Sequence, residues 1–267
     1  MSEAEALLPL AVEAALLGGG LLLERVGAGA EREVSSKSTP TDLVSEADLA
    51  SERAIRGLLA ARRPEDGFLG EEGGGEEGTS PLTWVVDPLD GTVNFLYGIP
   101  QWCVSVAVRD EGGTLAGAIY DPNRGELFTA TRDGAALLDG PAGERELSAA
   151  DGPGGRGLDS ALVATGLAYD ASVRARQGAV IERLAPRVRD IRRFGSAALD
   201  LAWTAAGRND AYFERTVKPW DIEAGSLICS RAGLAVLELP EREGLPWGVL
   251  AARPAIAEEL LALVQGD

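Results

Sequence analysis

The chain has 267 residues, 45% of them hydrophobic, with a net charge of −17 and no histidine. That length suits one large domain or two tightly joined ones, with enough apolar residues for a sizeable core. The acidity argues against a nucleic-acid partner, which needs clustered Lys and Arg; the missing histidine excludes a His base, a Ser-His-Asp triad and a His-ligated zinc or iron centre.

Residues from about Glu3 to Val26 carry Ala, Leu and Glu at helical spacing. Within them Gly18-Gly19-Gly20 predicts either close helix packing or a kink. A second helix is expected from Thr41 or Asp42, either of which can cap it, to Arg62, with Pro64 ending it. Phe68-Leu69-Gly70 reads as a short strand, and the glycine-rich, acidic run Gly73 to Gly78 as a mobile, solvated loop. Leu82 to Asp87 reads as a buried strand. Cys103 to Val108, Thr114 to Tyr120, Leu127 to Thr131 and Ala135 to Leu138 follow, separated by Gly-Gly, Asn-Arg-Gly and Asp-Gly turns, and together predict an antiparallel meander.

Asp151 to Gly157 is the best internal boundary, dividing an N-terminal half, 1–150, from a C-terminal half, 151–267, within one compact unit. Beyond it the pattern alternates. Leu162 to Ala164 is a strand, Ser172 to Leu184 and Ser196 to Ala206 are helices, Asp210 to Phe213 is a strand and Trp220 to Arg231 a helix. Alternation without an internal repeat fits α+β layers. Cys103 and Cys229 lie in apolar sequence and are expected as buried free thiols. The opening Met1-Ser2-Glu3 is acidic where a signal peptide would be basic, and no run reaches the ~18 continuous apolar residues of a membrane helix. A cytoplasmic protein without a membrane partner is expected.

Four stretches place carboxylates beside hydrophobic runs: Asp42 to Asp48, Gly70-Glu71-Glu72, Asp87-Pro88-Leu89-Asp90-Gly91-Thr92 and Lys218-Pro219-Trp220-Asp221. Burying such acids without partners is costly. A hard cation such as Mg2+, which takes oxygen ligands, removes that cost. In the third stretch Asp87 ends a strand, where it can bridge two ions. Pro88 shapes the turn so that the Leu89 carbonyl faces outward. Gly91 permits close approach of a ligand, and the amides of Gly91 and Thr92 open a helix, a favourable place for phosphate. Metal ligands and an anion cradle thus lie side by side, an arrangement that activates water for in-line displacement at phosphorus.

Asp87-Pro88-Leu89-Asp90-Gly91-Thr92-Val93-Asn94-Phe95 resembles one signature of the inositol monophosphatase family, and Trp220-Asp221-Ile222-Glu223-Ala224-Gly225 resembles the other. Gly70-Glu71-Glu72, Lys37-Ser38 and Asp42 to Asp48 fit as well, in order and over essentially the whole chain. The resemblance implies a layered αβαβα sandwich of the sugar-phosphatase type and two to three Mg2+ ions. It places the first ion on Glu71, Asp87 and the Leu89 carbonyl, the second on Asp87, Asp90 and Asp221, and a weaker third on Glu71 through water. Thr92 and Asp48 would orient and deprotonate the attacking water, and Gly91 and Thr92 would hold the phosphate. The leaving group would meet Gly195-Ser196-Ala197 and Glu214, where relatives place a carboxylate that accepts from sugar or cyclitol hydroxyls. Lys37 would form an ion pair near Glu71. Glu72 is expected to make outer contacts, Trp220 to pack against and fix Asp221, and Arg192 and Arg193 to serve a surface or interface role.

Val93-Asn94-Phe95 and the segment to Trp102 look most like bacterial inositol-1-phosphatases, implying a small phosphorylated polyol as substrate. Histidinol phosphate and fructose-1,6-bisphosphate are the alternatives. The resemblance further implies inhibition by lithium and a homodimer. A different role, as a partner of the transcription machinery, is known among bacterial relatives, but this chain keeps every expected metal ligand.

Overall fold

The computed structural model describes residues 2–27, 34–36, 43–152, 157–242 and 244–266. The chain opens with α1 (Glu3–Gly27). Strands β1 (Val34–Ser36) and β2 (Leu43–Ser45) pair antiparallel, and α2 (Glu46–Arg62) follows. An eight-stranded sheet is built from β3 (Gly67–Gly70), β4 (Gly74–Glu76), β5 (Thr83–Asp90), β6 (Cys103–Asp110), β7 (Gly113–Asp121), β8 (Glu126–Thr131), β9 (Leu137–Asp139) and β10 (Arg145–Glu146). The short helix α3 (Thr92–Leu96) separates β5 from β6. The spatial order is β10-β9-β8-β7-β6-β5-β3-β4, antiparallel throughout except between β3 and β5.

A second, five-stranded sheet is built from β11 (Leu162–Thr165), β12 (Asp190–Arg192), β13 (Ala211–Arg215), β14 (Ala235–Leu239) and β15 (Gly248–Ala252). Its order is β12-β11-β13-β15-β14, with β11 parallel to both neighbours and β15 antiparallel to both of its own. The remaining helices are α4 (Ala171–Leu184), α5 (Ala197–Ala205), α6 (Pro219–Arg231) and α7 (Pro254–Gln265).

Side chains alternate across the large sheet, as strand geometry demands. Trp84, Val86, Val104, Val106 and Val108 pack on Leu7, Ala11, Leu22 and Ile55 of α1 and α2. Val85, Ala107, Ile119 and Phe128 face the other way, onto Leu199, Leu201 and Ile228 of α5 and α6. Those two helices in turn meet Tyr212, Val249 and Ala251 of the small sheet. Val163, Phe213 and Leu250 on its far side pack on Val180, Leu184, Ile256 and Leu260 of α4 and α7. The result is an αβαβα sandwich in which both faces of the large sheet are covered. That coverage is why Trp84-Val85-Val86 and Cys103 to Val108 read as near-continuous hydrophobic runs. Cys103 and Cys229 are buried free thiols, as expected.

Of the glycine triplet, Gly18 and Gly19 mark close packing within the helix Glu3–Gly27, and Gly20 faces open space. A Cβ on Gly18 would lie 2.8 Å from Ile55 Cδ1 and 2.8 Å from Ser51 Oγ on α2. Although Glu13 interrupts its apolar run, α1 is long and apolar enough, by length and composition, to cross a membrane. Here its Ala4, Leu7, Ala11, Ala14, Ala15 and Leu22 are buried in the core described above.

Two expectations need correction. Helix α2 begins at Glu46, because Leu43–Ser45 is spent on pairing with Val34–Ser36; the capping candidates Thr41 and Asp42 lie outside the described residues, as does Lys37. Within the supposed loop Gly73 to Gly78, Gly74–Glu76 is an exposed edge strand on β3. It pairs with Phe68 opposite Glu76 and Gly70 opposite Gly74, and its two glycines carry no side-chain pattern that would announce it. Strands β12, β14 and β15 and helix α7 carried no assignment from the sequence.

Candidate active site

The end of β5 is irregular by construction. Its register against β6 shifts between Asp87 and Asp90, where Pro88 removes a ladder donor. The Leu89 amide donates to Asp87 Oδ1 at 3.0 Å, and Ser51 Oγ on α2 donates to the Pro88 carbonyl at 3.0 Å. Gly91 then turns the chain with φ 100°, and an added Cβ would sit 2.9 Å from the Gln101 carbonyl. Glycine is therefore required twice, by conformation and by space. Helix α3 starts at Thr92, whose hydroxyl lies 2.9 Å from Asp48 Oδ1 and 3.1 Å from the Leu89 carbonyl. Asp48 comes from the first turn of α2 and is fully buried.

Asp90 is gripped from α5: the capping residue Ser196 donates to its Oδ2 at 2.8 Å and the Ala198 amide at 2.6 Å. Asp221, in the first turn of α6, accepts from the Lys218 amide at 2.6 Å. Trp220 beside it packs against the core, and its carbonyl accepts from Ser105 Oγ at 3.3 Å on β6. Glu71 directly follows β3, and its amide donates to the Val86 carbonyl at 3.3 Å. The next amide, of Glu72, donates to Glu52 Oε2 at 2.8 Å.

Glu71, Asp87, Leu89, Asp90, Gly91, Thr92 and Asp221 line one open cleft of about 110 Å3. Its electrostatics are those of crowded acid. Burial, then the charges of Glu71, Asp90 and Asp221, push Asp87 well above the usual carboxylate range. Burial raises Asp90 to about 6 against the opposing bonds from Ser196 and Ala198. Burial and the charges of Asp90 and Glu71 hold Asp221 well up.

No three His, Cys, Asp or Glu side chains among the described residues form a ready-made metal cage. The donor set nevertheless fits a hard cation. It is all oxygen, it includes the Leu89 carbonyl, and its members raise one another's pKa because the charges acting most on them are negative. Bound cations would reverse that sign.

Glu214, on β13, also lines the cleft and accepts from the Tyr212 hydroxyl at 2.9 Å. Burial lifts Glu214 to about 7, opposed by that bond and by the nearby Arg193 charge. Its carboxylate occupies the space a side chain on Gly166 would need. Gly195, with φ 90°, and Ala197 line the cleft beside it. Ser196 between them is 2% exposed and is turned onto Asp90.

Sequence reasoning missed several lining residues. Arg193, expected at a surface or interface, lines the cleft, whereas Arg192 pairs with Asp190 at 2.6 Å. Tyr169, Thr216 and Val217 line it too, from loops with no motif to flag them. Asp200, on α5, is 1% exposed with no partner for either oxygen, and burial with Glu214 and Asp90 nearby pushes it well up.

The profile of the inositol monophosphatase family matches residues 3–266. An inositol-1-monophosphatase of Mycobacterium leprae is 45% identical over 250 residues, covering 90% of this chain and 84% of that one. A chain of Escherichia coli named Nus factor SuhB is 37% identical over 265 residues, covering 98% of this chain and 96% of that one. The crystal structure of extragenic suppressor protein suhB from Bartonella henselae is similar with a TM-score of 0.86 at 35% identity, covering 96% of this chain and 97% of that one.

Proposed function

Because the chain belongs to the inositol monophosphatase family, and is thus a phosphatase, we propose that it hydrolyses inositol-1-phosphate or a similar polyol monophosphate in a Mg2+-dependent reaction. The observation that carries this reading is one cleft lined by Glu71, Asp87, Asp90 and Asp221, with the Thr92–Asp48 hydrogen bond of 2.9 Å at its edge. Glu71, Asp87 and the Leu89 carbonyl would hold one ion, and Asp87, Asp90 and Asp221 a second, with Glu71 supporting a third through water. When bound, the ions supply Lewis acidity, making water nucleophilic at neutral pH and neutralising phosphoryl and leaving-group oxygens.

The chain's own groups do the rest. Thr92 donates its hydroxyl hydrogen bond to Asp48 Oδ1, which leaves its oxygen free to accept from the attacking water; as the water's proton passes to that oxygen, the hydroxyl's own proton passes to the carboxylate. Asp48, fully buried, is held by α2 where the water's proton is delivered. The amides of Gly91 and Thr92 bind phosphate oxygens. Glu214 accepts from hydroxyls of the leaving polyol, with Gly195 and Ala197 as the adjoining wall. Ser196 contributes through Asp90, which it orients. The reading includes a cytoplasmic homodimer, measurable by sedimentation.

The test is phosphate release with Mg2+ across inositol-1-phosphate, histidinol phosphate and fructose-1,6-bisphosphate, comparing kcat/KM. Preference for inositol-1-phosphate, abolished by a chelator, is the expected result. Full activity in chelator would overturn the metal, and preference for histidinol phosphate would overturn the substrate alone. The name of the Escherichia coli relative supports a second reading, a partner of the transcription machinery. That role would survive Asp90→Asn, whereas phosphatase activity would not.

A further inference from the structure

Among the described residues, Thr216 is the single residue other than glycine with a positive φ, 73°. A β-branched side chain in the left-handed region is strained, because Cβ crowds the following carbonyl. Such strain persists where the surroundings over-determine it, and it clusters at ligand clamps. Here the surroundings are plain. The Thr216 amide donates to the Trp247 carbonyl at 2.9 Å. The preceding Arg215, 3% exposed, donates through Nη1 to the carbonyls of Leu239, Pro240 and Pro246 at 3.3, 3.0 and 2.7 Å. None of these bonds needs the Thr216 side chain, and a glycine would take the same φ without strain.

Thr216 lines the cleft, with Glu214 and Val217. Its hydroxyl donates to the Arg215 carbonyl, so its oxygen keeps lone pairs for an incoming donor. The position is between Glu214, on β13, and the helix that carries Asp221. We propose that Thr216 is a specificity-determining residue for a cyclic polyol leaving group: its hydroxyl oxygen accepts from a ring hydroxyl, and its methyl, with Val217, packs on the C–H face of the ring. This rests on the substrate side proposed above for Glu214.

The test compares full-length wild type, Thr216→Gly and Thr216→Ser with Mg2+, reading kcat/KM for inositol-1-phosphate and for glycerol-2-phosphate, and the Tm of each protein. In Thr216→Gly the ratio of the two kcat/KM values should fall about tenfold, the order of one lost hydroxyl contact, while Tm stays level or rises. Thr216→Ser should keep the ratio within about threefold of wild type, since it keeps the acceptor. An unchanged ratio in Thr216→Gly would overturn the proposal. So would equal losses on both substrates accompanied by a lower Tm, the signature of a merely structural prop. A wild type that shows no preference for the cyclic substrate would defeat the substrate reading itself and this proposal with it; a preference that survives in Thr216→Gly defeats the proposal alone.

Discussion

At the level of single residues, charge decides which substitutions matter. Asp90 is held by Ser196 Oγ and the Ala198 amide, so Asp90→Asn keeps the shape but removes a negative charge from the proposed metal site. Steady-state kinetics should show kcat reduced by about 10²-fold or more with the fold intact by circular dichroism; kcat within a few-fold of wild type would remove Asp90 from the metal site. Glu214 gives a different signature. Its carboxyl is raised to about 7, so on acidification through that pH it gains a proton and loses acceptor capacity for polyol hydroxyls. KM for inositol-1-phosphate should therefore rise from pH 8 to pH 6 in wild type and stay flat in Glu214→Gln. A flat wild-type profile would place the leaving group elsewhere. Asp90 was legible in the sequence because an acid beside Pro, Gly and a hydrophobic strand has few structural uses, whereas Glu214, between Phe213 and Arg215, came only from the family resemblance. Thr216 was illegible: threonine carries no sign of a left-handed backbone, which the clamp of Arg215 and the Trp247 carbonyl imposes from far along the chain. Arg193 was illegible for a similar reason, since the loop entering α5, not any motif, turns it to the cleft.

At the level of elements, the first helix is linked to the candidate site through Gly18. Gly18 sits against Ile55 and Ser51 of α2, and Ser51 Oγ holds the Pro88 carbonyl in the turn that carries Asp87 and Asp90. Two effects of Gly18→Ala oppose each other. Alanine gains up to ~1 kcal/mol of helix propensity, while overpacking a rigid contact costs ~1–3 kcal/mol. With Ile55 fully buried, overpacking wins. Chemical denaturation should show a net loss of about 1 kcal/mol, with reduced kcat as Ser51 is displaced. Two positions on, nothing lies within 4 Å of a Cβ on Gly20. Gly20→Ala should thus gain up to ~1 kcal/mol with kcat unchanged. Equal effects at the two positions would mean that α1 does not pack as described. Element reading from sequence worked where periodicity met turn chemistry, as in the meander from Cys103 to Thr131. It failed at strands too short to show an alternating pattern, as at Gly74–Glu76 and Leu43–Ser45. Helix α7 has a regular apolar stripe, Ile256, Leu260 and Val264, that was there to be read.

For the molecule as a whole, the buried acids tie stability to pH and to metal. Asp90, raised to about 6, and Glu214, raised to about 7, bind protons more tightly folded than unfolded. A raised carboxyl pKa means that the native state holds more protons than the unfolded state between the two values, so stability falls as pH rises through that interval. In metal-free protein, Tm should therefore decline from about pH 4 to about pH 7, the window bounded below by the ordinary carboxylate pKa and above by the raised value of Glu214. The crowding of Asp87 and Asp221 by Glu71 and Asp90 acts in the same direction. If, as proposed, Mg2+ is held by the ionised carboxylates and not by the unfolded chain, it should raise Tm in proportion to the logarithm of its concentration, most strongly at the alkaline end. Saturating Mg2+ should then flatten or invert the pH slope. The same experiment on Asp90→Asn should show a shallower slope without metal and a smaller gain with it, since one titrating ligand is gone. A metal-free Tm that rises with pH across this window, or a Mg2+ response equal in wild type and Asp90→Asn, would mean that the cleft acids are balanced by cations of the chain itself. The ions would then have no claim on the fold, and the case for a cation bound among Glu71, Asp87, Asp90 and Asp221 would lose its physical basis.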